Sequence, residues 1–180
     1  MLMRTADPPR PAPVAAAALA IAAAAVAALL GAYFFEYGLH YQPCELCLKQ
    51  RIPYFVAIPL ALLLALAAWR RAPRPLLVVG LAALALAMLS GMALAGYHAG
   101  VEWHLWQGPR ECTGDPNFGR TGSLIEQLNT IRVVRCDEAA WRLFGVSLAG
   151  YNVLISAALA AVALFALHAL RRYGSSSVSQ

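Results

Sequence analysis

At 180 residues, with 61% hydrophobic and only 13% charged side chains, the chain is too apolar for an ordinary soluble domain. Its net charge of +5 is spread along the sequence and never gathers into one patch, which argues against a nucleic-acid surface and leaves membrane topology as the meaning of the charge.

Residues 1–13 carry Arg4 and Arg10 and lead into an Ala-rich run at 14–35. That run exceeds the about 7–15 apolar residues of a signal-peptide core, so it is expected to persist as a first membrane helix. Three further apolar runs follow at 52–69, 76–97 and 146–167. Crossing a bilayer takes about 20 residues at about 1.5 Å each, and unalternating stretches of this length satisfy their backbone groups in lipid only as helices. The run at 52–69 is the shortest and holds Pro53 and Pro59, so a kink is expected there. The predicted fold is an all-α membrane protein, one domain over 1–180, built as a four-transmembrane-helix bundle. Two outer loops join the helices, at 36–51 and 98–143.

Basic residues are equally numerous on the two sides this topology creates, so density decides orientation. Arg4 and Arg10, the cluster Arg70, Arg71 and Arg74, and the pair Arg171 and Arg172 fall in short segments beside helix ends. Lys49, Arg51, Arg110, Arg120, Arg132, Arg135 and Arg142 are diluted over longer loops. Both termini are therefore expected inside and all four cysteines outside. On that side disulfides persist, whereas a reducing cytosol would keep the thiols free. Four cysteines allow more than one pairing, and the sequence does not choose.

In the first loop Cys44 and Cys47 form a Cys-x-x-Cys just before the second helix. A cysteine in the first turn of a helix meets unpaired backbone N–H groups and the positive end of the dipole, which favours its thiolate. Arg51 follows Cys47 by four residues and would share its face in a continuous helix, where a permanent cation could stabilise a thiolate or an anionic, electron-accepting ligand. Pro53 opposes that continuity, and Glu45 adds negative charge beside the sulfurs. Zinc would need two more ligands from His40, His98, His104 or the distant cysteines, and no second Cys-x-x-Cys exists, so no metal is assigned.

The second loop turns polar after His98, with turns marked by Gly108-Pro109, Gly114, Asp115-Pro116 and Gly119. Cys112 lies in this part and Cys136 beyond it. A disulfide between them would close a loop worth about 3 kcal/mol as a plain staple; facing a Cys-x-x-Cys, it reads instead as a second redox pair. Ser123 and Glu126 have capping-box spacing ahead of Leu124, Leu128 and Ile131, predicting a short amphipathic helix. Trp103, Trp106 and Trp141 suit the membrane interface. Ser90 and Asn152 are polar positions inside helices three and four. His98 and His104 lie at an interface and His168 near the opposite end, a poor arrangement for haem.

The run Pro43-Cys44-Glu45-Leu46-Cys47-Leu48-Lys49-Gln50-Arg51 resembles the first outer loop of the DsbB family of disulfide bond formation proteins. Trp106-Gln107-Gly108-Pro109 ahead of Cys112 is similar to its second loop, as is Cys136 followed by Trp141, Gly145, Ser147 and Asn152. The likeness covers roughly residues 14–170. It implies a quinone-dependent thiol:disulfide oxidoreductase of the bacterial inner membrane. Such a protein reoxidises a periplasmic, DsbA-like dithiol oxidase and passes the electrons to ubiquinone or menaquinone. By position, Cys112 would be attacked by the partner's thiolate and Cys136 would deliver electrons to the first pair. Cys47 would contact the quinone, with Cys44 released by exchange. Arg51 would polarise the quinone, and His98 is a further quinone-contact candidate. A monomer would suffice. The rivals are a vitamin-K-epoxide-reductase-like oxidase, whose Cys-x-x-Cys sits near its last helices, and a tetraspan structural protein with loop-stabilising disulfides.

Overall fold

The computed structural model describes residues 12–109 and 135–175. Cys112 and the amphipathic helix expected around 123–131 lie outside the described residues. Among those described, four helical stretches are long and apolar enough to cross a membrane. The first is α1, Ala12–Tyr33, which runs on through a wider π-type turn at Phe34–Gly38. The second comes in two pieces, the short α2 at Glu45–Lys49 and α3 at Ile52–Trp69. The third is α4, Arg74–Glu102, and the fourth α5, Leu148–Ser175.

Each long helix packs against two others, α1 on α3 and α5, α4 on α3 and α5, closing a four-helix ring. Its core is built from small and aliphatic side chains: Ala18, Ile21 and Ala25 of α1, Ala57, Ala61 and Leu64 of α3, Leu81, Leu84 and Met88 of α4, Ala160 and Ala163 of α5. Lipid tails are as apolar as leucine, so association gains little from burial alone, and small residues let helices approach closely enough for dispersion contacts. The outer surface is equally apolar, with Leu30, Leu63, Val79, Leu86 and Phe165 exposed, as a bilayer solvent requires.

The run at 52–69 forms one helix with Pro59 inside it, and the interruption falls just ahead of it at Gln50–Arg51, where α2 ends and α3 begins. Pro53 thus occupies the first turn of α3, where its missing N–H costs nothing. Helix α4 extends five residues past the Tyr97 end read from hydropathy, because His98 and Glu102 are buried rather than solvated. At its other end the Arg74 guanidinium donates to the carbonyls of Leu170 and Arg171 at 2.9 and 2.7 Å, satisfying acceptors near the end of α5.

Ahead of α5 a two-residue hairpin pairs β1, Arg142–Leu143, antiparallel with β2, Val146–Ser147. Its turn residues Phe144 and Gly145 both have positive φ, 50° and 80°, as a type I′ turn demands. Ser147 then accepts the Gly150 N–H at 3.2 Å and caps the helix.

A close three-helix crossing lies near the middle of α4. A Cβ at Gly91 would meet Pro53 Cβ at 3.2 Å and Ser156 Oγ at 3.3 Å, whereas one at Gly96 meets nothing within 4 Å. Gly91→Leu is therefore expected to cost about 1–3 kcal/mol by overpacking, read as the unfolding midpoint in detergent. Gly96→Leu should stay within about 0.5 kcal/mol of the wild type or above it. Equal behaviour of the two variants would contradict this packing.

Candidate redox site

Cys44 sits in extended conformation as the N-cap of α2, and its sulfur accepts the Cys47 backbone N–H at 3.3 Å. The two sulfurs lie 2.9 Å apart, and both are free thiols. Nε2 of His98 approaches the Cys44 sulfur at 3.6 Å. With a backbone N–H and an imidazole already turned to Cys44, the proton shared across the pair rests on Cys47. That hydrogen bond from Cys47 is the largest influence on Cys44; burial opposes it and His98 reinforces it, leaving the Cys44 pKa lowered to about 4.

His98 is buried at 2% exposure and held from both sides. Its Nδ1 is hydrogen-bonded to the Gln50 side-chain amide at 2.6 Å, and Gln50 Oε1 accepts from Asn152 Nδ2 at 2.6 Å. The Tyr54 hydroxyl donates to Asn152 Oδ1 and lies 3.0 Å from Ser156 Oγ. A ladder of buried and half-buried polar side chains thus runs from the dithiol into the bundle across α3, α4 and α5. Glu102, one turn beyond His98 on α4, places Oε1 3.9 Å from Nε2. Its Oε2 is buried without a hydrogen-bond partner among the described residues.

The second cysteine region reaches the same place. Cys136 is fully buried and packs in one apolar cluster with Cys44, Leu46 and Val101, flanked by Cys47 and Leu94. It is disulfide-bonded, and its backbone hydrogen-bonds the His98 ring. Arg135, just before it, makes a two-pronged pair with Asp137 at 3.0 and 2.7 Å and a longer contact to Glu138.

Arg51 lies elsewhere than a continuous helix would put it. The break at Gln50–Arg51 turns its guanidinium to Glu36 Oε2, a 2.6 Å charge contact too poorly aligned to be a hydrogen bond, and over the Tyr33 ring at 4.9 Å. Gln50 faces His98 in its stead. His104 and His40 are exposed loop residues with positive φ. The sequence reading passed over Glu36, Gln50, Tyr54 and Glu102. A signal was available: Gln50 and Tyr54, His98 and Glu102, and Asn152 and Ser156 each stand four residues apart, the spacing of polar stripes on helices.

The Cys44 thiolate yields a direct expectation. A group with depressed pKa is charged above that value and loses its charge as pH falls through it. Iodoacetamide labelling of Cys44 in the reduced chain should stay nearly level from about pH 8 to about pH 5 and fall only through about pH 4, whereas an ordinary thiol of pKa about 8.5 loses about tenfold per unit. Peptide mapping by mass spectrometry isolates Cys44, and a steady tenfold decline would remove the thiolate from it.

Compared with known proteins, residues 14–166 match the family model described as Disulfide bond formation protein DsbB. Two Haemophilus influenzae sequences named Disulfide bond formation protein B, from different strains, are each 31% identical over 134 residues, covering 69% of this chain and 69% of theirs. A Rickettsia prowazekii protein named Uncharacterized protein RP370 is 29% identical over 137 residues, 74% of this chain and 76% of its own. No solved structure matches.

Proposed function

This chain belongs to the DsbB family of disulfide bond formation proteins, and on that premise we propose that it oxidises a DsbA-like periplasmic dithiol protein and hands the electrons to membrane quinone. Family membership carries the thiol oxidoreductase role in disulfide formation; the partner, the acceptor and the sidedness are this reading's own. Both termini would be cytoplasmic, the cysteines periplasmic and the membrane the bacterial inner one, as the Arg70, Arg71 and Arg74 cluster favours.

The observation that carries the reading is the burial of Cys136 against Cys44 and Cys47. Two cysteine regions remote in sequence share one dry cluster, so exchange between them needs no large movement. In the proposed sequence a partner thiolate attacks the Cys112 sulfur of a Cys112–Cys136 disulfide, forming a mixed disulfide and freeing the Cys136 thiolate. The partner's second thiol resolves the mixed disulfide; the partner leaves oxidised, and Cys112 and Cys136 are left reduced. The Cys136 thiolate then attacks Cys44 of a Cys44–Cys47 disulfide and frees the Cys47 thiolate. Negative charge favours Cys44 in the reduced pair, but while Cys44 is bonded to Cys136 the free sulfur is Cys47. That fits Cys47 as the sulfur facing the acceptor. Cys112 then resolves the bond to Cys136 and leaves the first pair reduced.

The residues present fit a quinone. Arg51, Tyr33 and Glu36 meet at the outer end of the α1–α3 seam. Further along it runs a wholly apolar groove of about 480 Å³, lined among others by Leu19, Ala23, Val26, Leu30, Ile58 and Leu62. Arg51 would hold the polar head and the groove the isoprenoid tail. A bound quinone accepts two electrons and two protons. The chain's own part is to keep Cys44 ionised through His98, to exclude water from the sulfurs and to present a cation beside the head. His98, also a quinone-contact candidate, is already engaged with Cys44.

Purified chain in detergent should reduce a ubiquinone or menaquinone analogue, followed by absorbance, when supplied with a reduced DsbA-like protein. Cys47→Ser and Cys112→Ser should each abolish turnover in a chain that still unfolds at the wild-type midpoint. A lowered midpoint for Cys47→Ser, with no turnover by the wild type, would support a structural tetraspan instead. Arg51→Gln should lower turnover about 10- to 100-fold while leaving Cys44 labelling unchanged, since the cation stands apart from the dithiol.

A further inference from the structure

We infer that the reduced chain binds a zinc-class divalent cation between Cys44 and Cys47 at the start of α2 and His98 and Glu102 at the end of α4. The sulfurs of Cys44 and Cys47 and the ring nitrogen of His98 already lie within 4.8 Å of one another. Glu102 stands beside that group as a fourth donor type, with Oε1 3.9 Å from His98 Nε2. Its side chain is 4% exposed and its second oxygen lacks any hydrogen-bond partner among the described residues.

That orphaned oxygen is an observation independent of the thiols. A carboxylate removed from water needs a cation or several donors. Among the described residues the cations near the site are engaged elsewhere: Arg51 by Glu36, Lys49 by Glu45, Arg135 by Asp137 and Glu138. A divalent ion satisfies Glu102 and both sulfurs at once.

The donors come two from each element, in spacings that suit a tetrahedral ion. Cys44 and Cys47 are three apart around a helix start; His98 and Glu102 are four apart on one face of α4, the spacing by which two helical ligands reach one metal. The Cys47 N–H already supports the Cys44 sulfur, and the Gln50–Asn152 pair fixes the imidazole from behind, as outer partners do at metal sites. Two adjustments are required: the Glu102 carboxylate, beside His98 but outside the close group of three donors, must swing toward the sulfurs, and the sulfurs must separate. Two thiolates about 2.3 Å from one ion stand roughly 3.8 Å apart, so the sulfurs must part from 2.9 Å. The proton they share leaves to solvent when the ion enters. No electrons move, and with both sulfurs on the ion the Cys44–Cys47 disulfide cannot close.

Binding itself requires only that this pair be reduced. The consequence, that the ion halts thiol oxidation, rests on the proposed function, so binding is measured first and without partner or quinone. The full chain carrying Cys112→Ser and Cys136→Ser, reduced and freed of reductant, is titrated in detergent with Cd²⁺, followed by ultraviolet sulfur-to-metal charge transfer. Zn²⁺ is then titrated in competition with a chromophoric chelator. One ion per chain is expected, with loss of binding when the Cys44–Cys47 pair is oxidised. Glu102→Gln and His98→Ala should each weaken binding at least about tenfold. Glu102→Asp should recover part of the loss, and Zn²⁺ should raise the unfolding midpoint of the reduced chain only. If His98→Ala fails to fold, Glu102→Gln decides. Binding that is absent, that exceeds one ion per chain, or that is indifferent to Glu102→Gln would overturn the site and leave a plain vicinal dithiol.

Discussion

The ladder from His98 through Gln50 and Asn152 to Tyr54 and Ser156 is the interaction on which the rest of the site depends. In a bundle whose core is alanine and leucine, many axial offsets of one helix against another bury similar area. Polar side chains at membrane depth remove that freedom, because each must meet its partner or stand unsatisfied in hydrocarbon. Sliding α5 by one residue would carry Asn152 away from both Gln50 and Tyr54. The bonds are individually modest, about 0.6 kcal/mol on average where such bonds have been measured in a membrane protein. Their effect is positional: they fix α4 relative to α3, hence His98 relative to Cys44.

Charge around this ladder is sorted by burial. Lys49 and Glu45 form an exposed pair, each side chain 43% accessible, so water screens the negative charge that the sequence places between the cysteines. Arg51 and Glu36 are largely withdrawn from water, at 12% and 19%, and form a local unit at the α1–α3 seam. Among the described residues, the buried carboxylate Glu102 lies beside the imidazole and close to the dithiol. The sulfurs therefore feel His98 and Glu102 more than the basic and acidic residues nearest to them in sequence.

Much of this was legible in the sequence, and what was not has a physical reason. Four apolar runs fix four spanning helices because lipid offers the backbone no other way to satisfy its hydrogen bonds. The cysteines were visible as chemistry, and the family likeness gave them an order. Hydropathy put the end of the third helix at Tyr97, since a polar residue scores as solvated whether or not it has a buried partner; His98 and Glu102 are buried because Gln50 and Cys44 wait across the interface. Arg51 was assigned to the cysteine face by counting along an unbroken helix. Pro53 warned of the break, but a proline does not say how far the next residues turn. The ladder needed pairing between helices, which spacing within each helix can suggest and cannot assign.

The same break separates two tasks that a continuous helix would have merged. A permanent cation four residues from Cys47 would have stabilised thiolate and acceptor with one group, so tuning either would have disturbed the other. Here an imidazole and a backbone N–H stabilise the Cys44 thiolate, while the guanidinium stands over Tyr33 at the head of the apolar seam. Stabilising a thiolate stabilises the reduced state and makes a disulfide more oxidising, by about 30 mV for each 1.4 kcal/mol in a two-electron couple. In the proposed relay, a pair taking electrons from a strongly oxidising partner would gain from that, and would lose by it on passing them on. In that relay the thiolate would be set by His98 and the acceptor by Arg51, so the two requirements would fall on different residues, and exchange with Cys136 would move the free charge from one sulfur to the other between them.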